Sequence, residues 1–101
     1  MSKPPPLTPL ELITALAGLP DWSHVDGALI REHEFPDFRD FIAFVTRASL
    51  IADAADHRPE WTAVRRKLQI RLTTHDAGCR VTHRDVSLAQ SLDRLFTAGG
   101  K

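Results

Sequence analysis

Asp53–His75, DAADHRPEWTAVRRKLQIRLTTH, is where the chain passes from helical to strand periodicity. Leu68, Ile70 and Leu72 alternate with Gln69, Arg71 and Thr73. That period of two predicts a strand over 68–74 with one face on the core. A short strand is predicted ahead of it, around Ala63 to Arg66, after a turn formed by Asp56-His57-Arg58-Pro59-Glu60-Trp61. Upstream, Phe38, Phe41, Ile42, Val45 and Ala52 recur at helical spacing. They predict a long helix from about 37 to 56 with those residues facing inward. Two imidazoles, His57 and His75, stand at the ends of these regular elements. Histidine is the side chain that gains and loses protons near neutrality, so this stretch is the candidate for chemistry.

Working outward, Phe44, Ile51 and Ala55 widen the apolar arc of the long helix to about half its circumference, beyond the usual stripe of roughly 100°. One layer of strands in a small domain does not cover such an arc, which predicts burial in a subunit interface. Toward the N-terminus, Thr8-Pro9-Leu10-Glu11 reads as a capped helix start, with Leu12, Leu16 and Ile13 as its stripe and Gly18 as its stop. Trp22 to Val25, Asp26-Gly27 and Ala28 to Phe35 read as a hairpin. Thr82 with Asp85 starts a last helix whose stripe is Val86, Ala89, Leu92 and Phe96. Pro4-Pro5-Pro6 marks residues 1–7 as an extended arm, 8–98 form one domain, and Gly99-Gly100-Lys101 should fray. The expected fold is α+β: a four-stranded antiparallel sheet with three helices on one face, in the order α-β-β-α-β-β-α.

The 101 residues carry 13 basic and 13 acidic side chains, so no net field draws the chain to nucleic acid or an anionic membrane. A hydrophobic content of 43% argues for a folded globule. The single cysteine, Cys79, excludes an internal disulfide framework. Neither a membrane-length apolar run nor a secretion signal is visible, which makes the cytoplasm the expected location.

At LTPLELITAL, LPDW, FPDFRDFIAFVTRASLIADAADH, HRPEW, LTTHDAG and RDVSLAQ the chain resembles the pterin-4a-carbinolamine dehydratases, known also as dimerisation cofactors of homeodomain transcription factors. Their signature runs from an acidic residue to a His four later, then His or Asn, and Pro. An aromatic, a second His ten residues beyond it and an Asp complete it. Asp53, His57, Pro59, His75 and Asp85 fill these slots with the spacing kept. The departures are Arg58 in the His-or-Asn slot, Arg65 in the aromatic slot, His33 at a usual core Phe, and Gly78-Cys79-Arg80 where a glycine pair is common.

The resemblance implies loss of water from a 4a-hydroxytetrahydropterin to give the quinonoid dihydropterin, with His57 and His75 as the acid/base pair and no metal or organic cofactor. It places Asp53, Arg58, Pro59, Trp61 and Asp85 around the pterin, the two aspartates in orienting and supporting roles. No family role carries over to Arg58. Always charged, its guanidinium cannot shuttle protons. It can bond a pterin carbonyl, oppose protonation of His57, or point to solvent. The alternative is a binding protein that kept the fold and lost the catalysis. The family has such offshoots, and a RuBisCO assembly factor linked to α-carboxysomes is one of them. The Arg65-Arg66-Lys67 run reads as a solvated strand edge. His75, Cys79 and His83 have metal-like spacing but show no fourth ligand.

Overall fold

Thr8 closes the capping box that its sequence predicts. Its hydroxyl accepts from the Glu11 N–H at 3.2 Å, and the Glu11 carboxylate accepts from the Thr8 N–H at 2.8 Å. With Pro9 at the first position this starts α1, Pro9–Ala17. The computed structural model describes residues 4–99, so the first three residues of the expected arm and Gly100-Lys101 of the expected frayed end lie outside it. Leu7 is held, its N–H donating to the Val81 carbonyl at 2.9 Å. Leu12 and Leu16 pack on the core, whereas Ile13, expected with them, is 67% exposed. One residue beyond Leu12 it is rotated about 100° off a narrow stripe.

β1 (Ser23–Val25) and β2 (Ala28–Glu34) pair through Val25 and Ala28. Asp26 and Gly27 between them have φ of 50° and 77°, the left-handed values that a two-residue hairpin requires. Gly27 also has no room for a side chain, because a Cβ there would meet the Cys79 carbonyl oxygen at 2.4 Å. The sheet is completed by β3 (Glu60–Val64) and β4 (Lys67–Leu72) in the antiparallel order β1-β2-β4-β3.

Two expectations are corrected here. β3 begins at Glu60 and includes Trp61, because Trp61 pairs with Ile70 and packs on the core as soon as Pro59 is passed. Of the basic run only Lys67 lies in a strand, as the first residue of β4. Arg65, at φ 58°, and Arg66 form the tight turn between Val64 and Lys67.

Leu68, Ile70 and Leu72 are fully buried, while Lys67, Gln69 and Arg71 face away from the core. Burying one such side chain stabilises the fold by about 1.5–3 kcal/mol. The three strand residues meet Phe41, Phe44, Ala48 and Ala52 of α2 (Phe38–Ala54) and Leu88, Ala89 and Leu92 of α3 (His83–Gly99) in one cluster. The fold is therefore α+β, a four-stranded antiparallel sheet with helices on one face, as expected. Asp37 caps α2 by accepting from the Asp40 N–H at 2.8 Å. Asp56, at φ 52°, turns the chain out of the helical region after the helix ends at Ala54.

The inward face of α2 is narrower than predicted. Phe38 and Ile42 are 60% and 45% exposed, while Phe44 stacks on Phe96 at 4.2 Å inside the chain itself. Phe96 of α3 and Phe35, just past β2, together cover Phe44, so that part of the arc belongs to the core and not to a subunit boundary.

His33 occupies its unusual place beside Phe35 and Phe96, with ring centroids 4.6 and 4.7 Å away. Arg31 lies over the Phe96 ring at 3.8 Å and donates to Asp93 at 2.7 Å; Asp93 also accepts from the Trp22 indole at 2.7 Å. Burial, reinforced by the Arg31 charge and opposed by Asp21, holds the His33 imidazole below its ordinary pKa of 6.5. The unfolded chain therefore binds more protons near pH 6 than the folded one. Stability should be full above pH 6.5 and decline as pH falls below it. Denaturant midpoints at pH 7.5 and 5.0 test this: His33→Phe should shrink the difference between them, and an unchanged difference would clear His33 of the effect.

Candidate active site

Asp85 is fully buried in the first turn of α3, where a carboxylate is favoured by the free N–H groups and the helix dipole. Its Oδ2 accepts from the Thr82 N–H at 2.9 Å, which is half of the capping box expected from Thr82 and Asp85. The same oxygen accepts from the Thr74 hydroxyl at 2.8 Å. Oδ1 lies 2.5 Å from Nε2 of His57. The Thr82 hydroxyl accepts from the Arg84 N–H at 3.2 Å and lies 2.8 Å from that of Thr74. Every buried polar atom of this cluster is thus paired.

His57 follows α2 and is fixed by its backbone as well, its N–H donating to the Ala52 carbonyl at 3.1 Å. Its side chain retains 10% exposure. His75 follows β4 on a short 3₁₀ turn, His75–Ala77, and its side chain is 72% exposed. Nε2 of His75 lies 3.8 Å from Glu60 Oε2, and Nδ1 lies 3.6 Å from Cys79 Sγ. Glu60 and Arg71 are register partners, so the start of β3 and the end of β4 share one end of the sheet. His57 precedes Glu60 by three residues and His75 follows Arg71 by four. Both imidazole-bearing segments therefore leave the sheet at that end, and both are tied to Asp85, the second through Thr74.

The remaining predicted site residues are less enclosed. Arg58 and Asp53 have side chains 77% and 72% exposed and face one another at 3.4 Å. Of the three readings of Arg58, the solvent-directed one describes this geometry, and such a pair contributes at most about 1 kcal/mol. Pro59 is half-buried, and Trp61 packs against the core from β3. Asp85 has no exposed surface, so it reaches a ligand only through His57. Among the described residues, no group of three side chains is placed to hold a metal ion. A cleft of about 600 Å³, lined by Arg31, His33, Arg47, Asp93 and Phe96 among others, includes neither His57 nor His75.

Sequence reasoning missed Thr74 and Glu60. Thr74 reads as one more strand residue in the inward phase of Leu68, Ile70 and Leu72, and only the fold shows that its hydroxyl meets Asp85 there. Gly78 and Cys79 take φ of 75° and 59°, so the slot of the second common glycine still needs a left-handed backbone. A non-glycine residue adopts it at a cost of roughly 1–2 kcal/mol.

The family model described as pterin 4 alpha carbinolamine dehydratase matches residues 5–95. A protein of Rhizorhabdus wittichii, provisionally named pterin-4-alpha-carbinolamine dehydratase, is 48% identical over 92 residues, covering 89% of this chain and 94% of its own. A second, of the same provisional name from Bradyrhizobium diazoefficiens, is 42% identical over 83 residues, covering 80% and 82%. A crystal structure of a transcriptional coactivator/pterin dehydratase from Brucella melitensis superposes with a TM-score of 0.84 at 33% identity, over 89% of this chain and 97% of that one.

Removing the Asp85 carboxylate strands a buried hydroxyl, a buried N–H and an imidazole. Asp85→Ala should therefore cost on the order of 3–5 kcal/mol in urea denaturation. Asp53→Ala, at an exposed pair, should stay within about 0.5 kcal/mol of wild type. Equal losses in the two variants would contradict the role given to Asp85.

Proposed function

The chain belongs to the pterin 4 alpha carbinolamine dehydratase family, and from that premise we propose that it dehydrates 4a-hydroxytetrahydropterins, with His57 as base and His75 as acid. In this reaction the C4a–O bond breaks and the oxygen leaves as water once protonated. A ring nitrogen gives up its proton as the new double bond to C4a forms. One acid and one base suffice, and each such group is typically worth about 10²–10⁴ in rate. The observation that carries the reading is the bond from His57 to a fully buried carboxylate. A carboxylate so placed orients the imidazole and stabilises the imidazolium that forms when it takes a proton. His75 is exposed, so it can reach a departing hydroxyl, and Glu60 offers its protonated form an ion-pair partner. Asp53, Arg58, Pro59 and Trp61 belong to this reading as the rim of the pterin site.

A second reading, a partner-binding protein, is favoured by one observation. Phe38 and Ile42 form an exposed apolar strip along α2. Our preferred use of that strip is self-association as a homodimer or homotetramer in the cytoplasm. A protein partner such as RuBisCO is the alternative. Sedimentation of wild type and of a Phe38→Glu, Ile42→Glu variant separates these, since only self-association predicts that the variant becomes smaller.

Three substitutions test the catalytic reading. His57→Ala and His75→Ala should each slow dehydration by about a hundredfold or more while the fold is kept. Arg58→His, which restores the family residue at an exposed position, should change turnover less than either. Wild-type turnover in both alanine variants would move the chemistry elsewhere. Undetectable dehydration by wild type and Arg58→His alike would favour the partner-binding reading.

A further inference from the structure

We infer that Thr74 is the positioning residue of this site, and that Nδ1 of His57 is the nitrogen that meets the ligand. The inference deepens the acid–base reading above and rests on it.

Hydrogen atoms can be assigned along the cluster because each hydroxyl has only one. The Thr74 hydroxyl donates to Asp85 Oδ2, so the 2.8 Å contact between the two threonine oxygens is filled by the Thr82 proton. The Thr82 oxygen in turn accepts from the Arg84 N–H. The chain of donors is therefore directed, from the first turn of α3 through Thr82 and Thr74 to Asp85. With Oδ2 occupied by Thr74 and the Thr82 N–H, Oδ1 is the oxygen turned to His57. An ionised carboxylate only accepts, so Nε2 of His57 carries the proton and the neutral ring keeps its lone pair on Nδ1.

Nδ1 has no hydrogen-bond partner among the described residues. Among the described residues the buried side-chain nitrogen without a partner is Nε of Arg31, so Nδ1 of His57 retains contact with solvent. The base is thus presented through the nitrogen that Asp85 does not hold.

Thr74 also governs the other histidine. Its carbonyl accepts from the N–H groups of Ala77 and Cys79, both at 3.1 Å, and its N–H donates to the Arg80 carbonyl at 3.0 Å. These bonds close the loop on which His75 stands, one residue away. The side chain of Thr74 is nearly fully buried, so it touches no ligand and acts only through its neighbours. Thr82 shares the carboxylate but has no bond to the His75 loop other than through Thr74.

The test is the ring ¹⁵N spectrum of His57 together with dehydration kinetics, in wild type, Thr74→Val and Thr74→Ser. Neutral His57 of the wild type should carry its proton on Nε2. Thr74→Val keeps the shape and removes the donor. It should give a mixed tautomer and a kcat at least about tenfold lower, by analogy with the outer partners of metal-bound histidines. KM should stay within about twofold, because Thr74 touches no ligand. Thr74→Ser should restore both. A proton on Nδ1 in the wild type overturns the inference, as does Thr74→Val with unaltered tautomer and turnover. If Thr74→Val does not fold, the wild-type Thr74 hydroxyl proton decides, since it should exchange slowly and contact Asp85; a freely exchanging proton overturns the assignment. A wild type that holds the Nε2–H tautomer yet dehydrates nothing would sink the catalytic reading and leave the positioning intact.

Discussion

A carboxylate with no exposed surface needs hydrogen-bond donors, and the end of the sheet that carries the histidines is arranged to supply them to Asp85. Taking such a charge out of water costs several kcal/mol unless its oxygens are bonded. The donors come from three places in the chain, 3, 11 and 28 residues away from Asp85. The start of α3, the end of β4 and the segment after α2 must therefore converge, and each loses a partner if any other withdraws. This coupling gives an exposed, polar corner of a small domain the definition that a packed core gives elsewhere.

The element order was legible because it rests on local chemistry. Thr8 and Glu11, Asp26 and Gly27, and the alternation of Leu68, Ile70 and Leu72 each act within a few residues, and each forms as read. The limits of faces were less legible. Whether Ile13, Phe38 and Ile42 are covered depends on how far neighbouring elements extend, which no local pattern encodes. Phe44 errs the other way, since its cover comes from Phe96, far along the chain. The start of β3 was masked by Pro59 and by the polar Glu60, although Trp61 already faces the core.

In the site, the spacing of Asp53, His57, His75 and Asp85 pointed to residues that the structure treats differently. His57 and Asp85 are bonded, His75 leaves the same end of the sheet, and Asp53 sits outside with Arg58. Arg58 drew weight as a departure from the signature beside His57. Its exposure removes most of that weight, because water screens a guanidinium that points outward. The contribution of Thr74 was invisible for a physical reason. The alternation of Leu68, Ile70 and Leu72 turns Thr74 inward, but what it meets there, Asp85, lies 11 residues on and is brought to it only by the fold. Arg65 and Cys79, both at signature departures, turn out to occupy left-handed backbone positions in tight turns.

The central claim is that His57 and His75 face one ligand, held by a common anchor at Asp85. The most direct measurement is a titration of the free protein with a dihydropterin, following the ring nitrogens of His57, His75 and His33 by ¹⁵N NMR. The account predicts that His57 and His75 move together and saturate at the same pterin concentration, while His33 stays still. Saturable binding that moves His33 alone, or neither histidine of the pair, would contradict it.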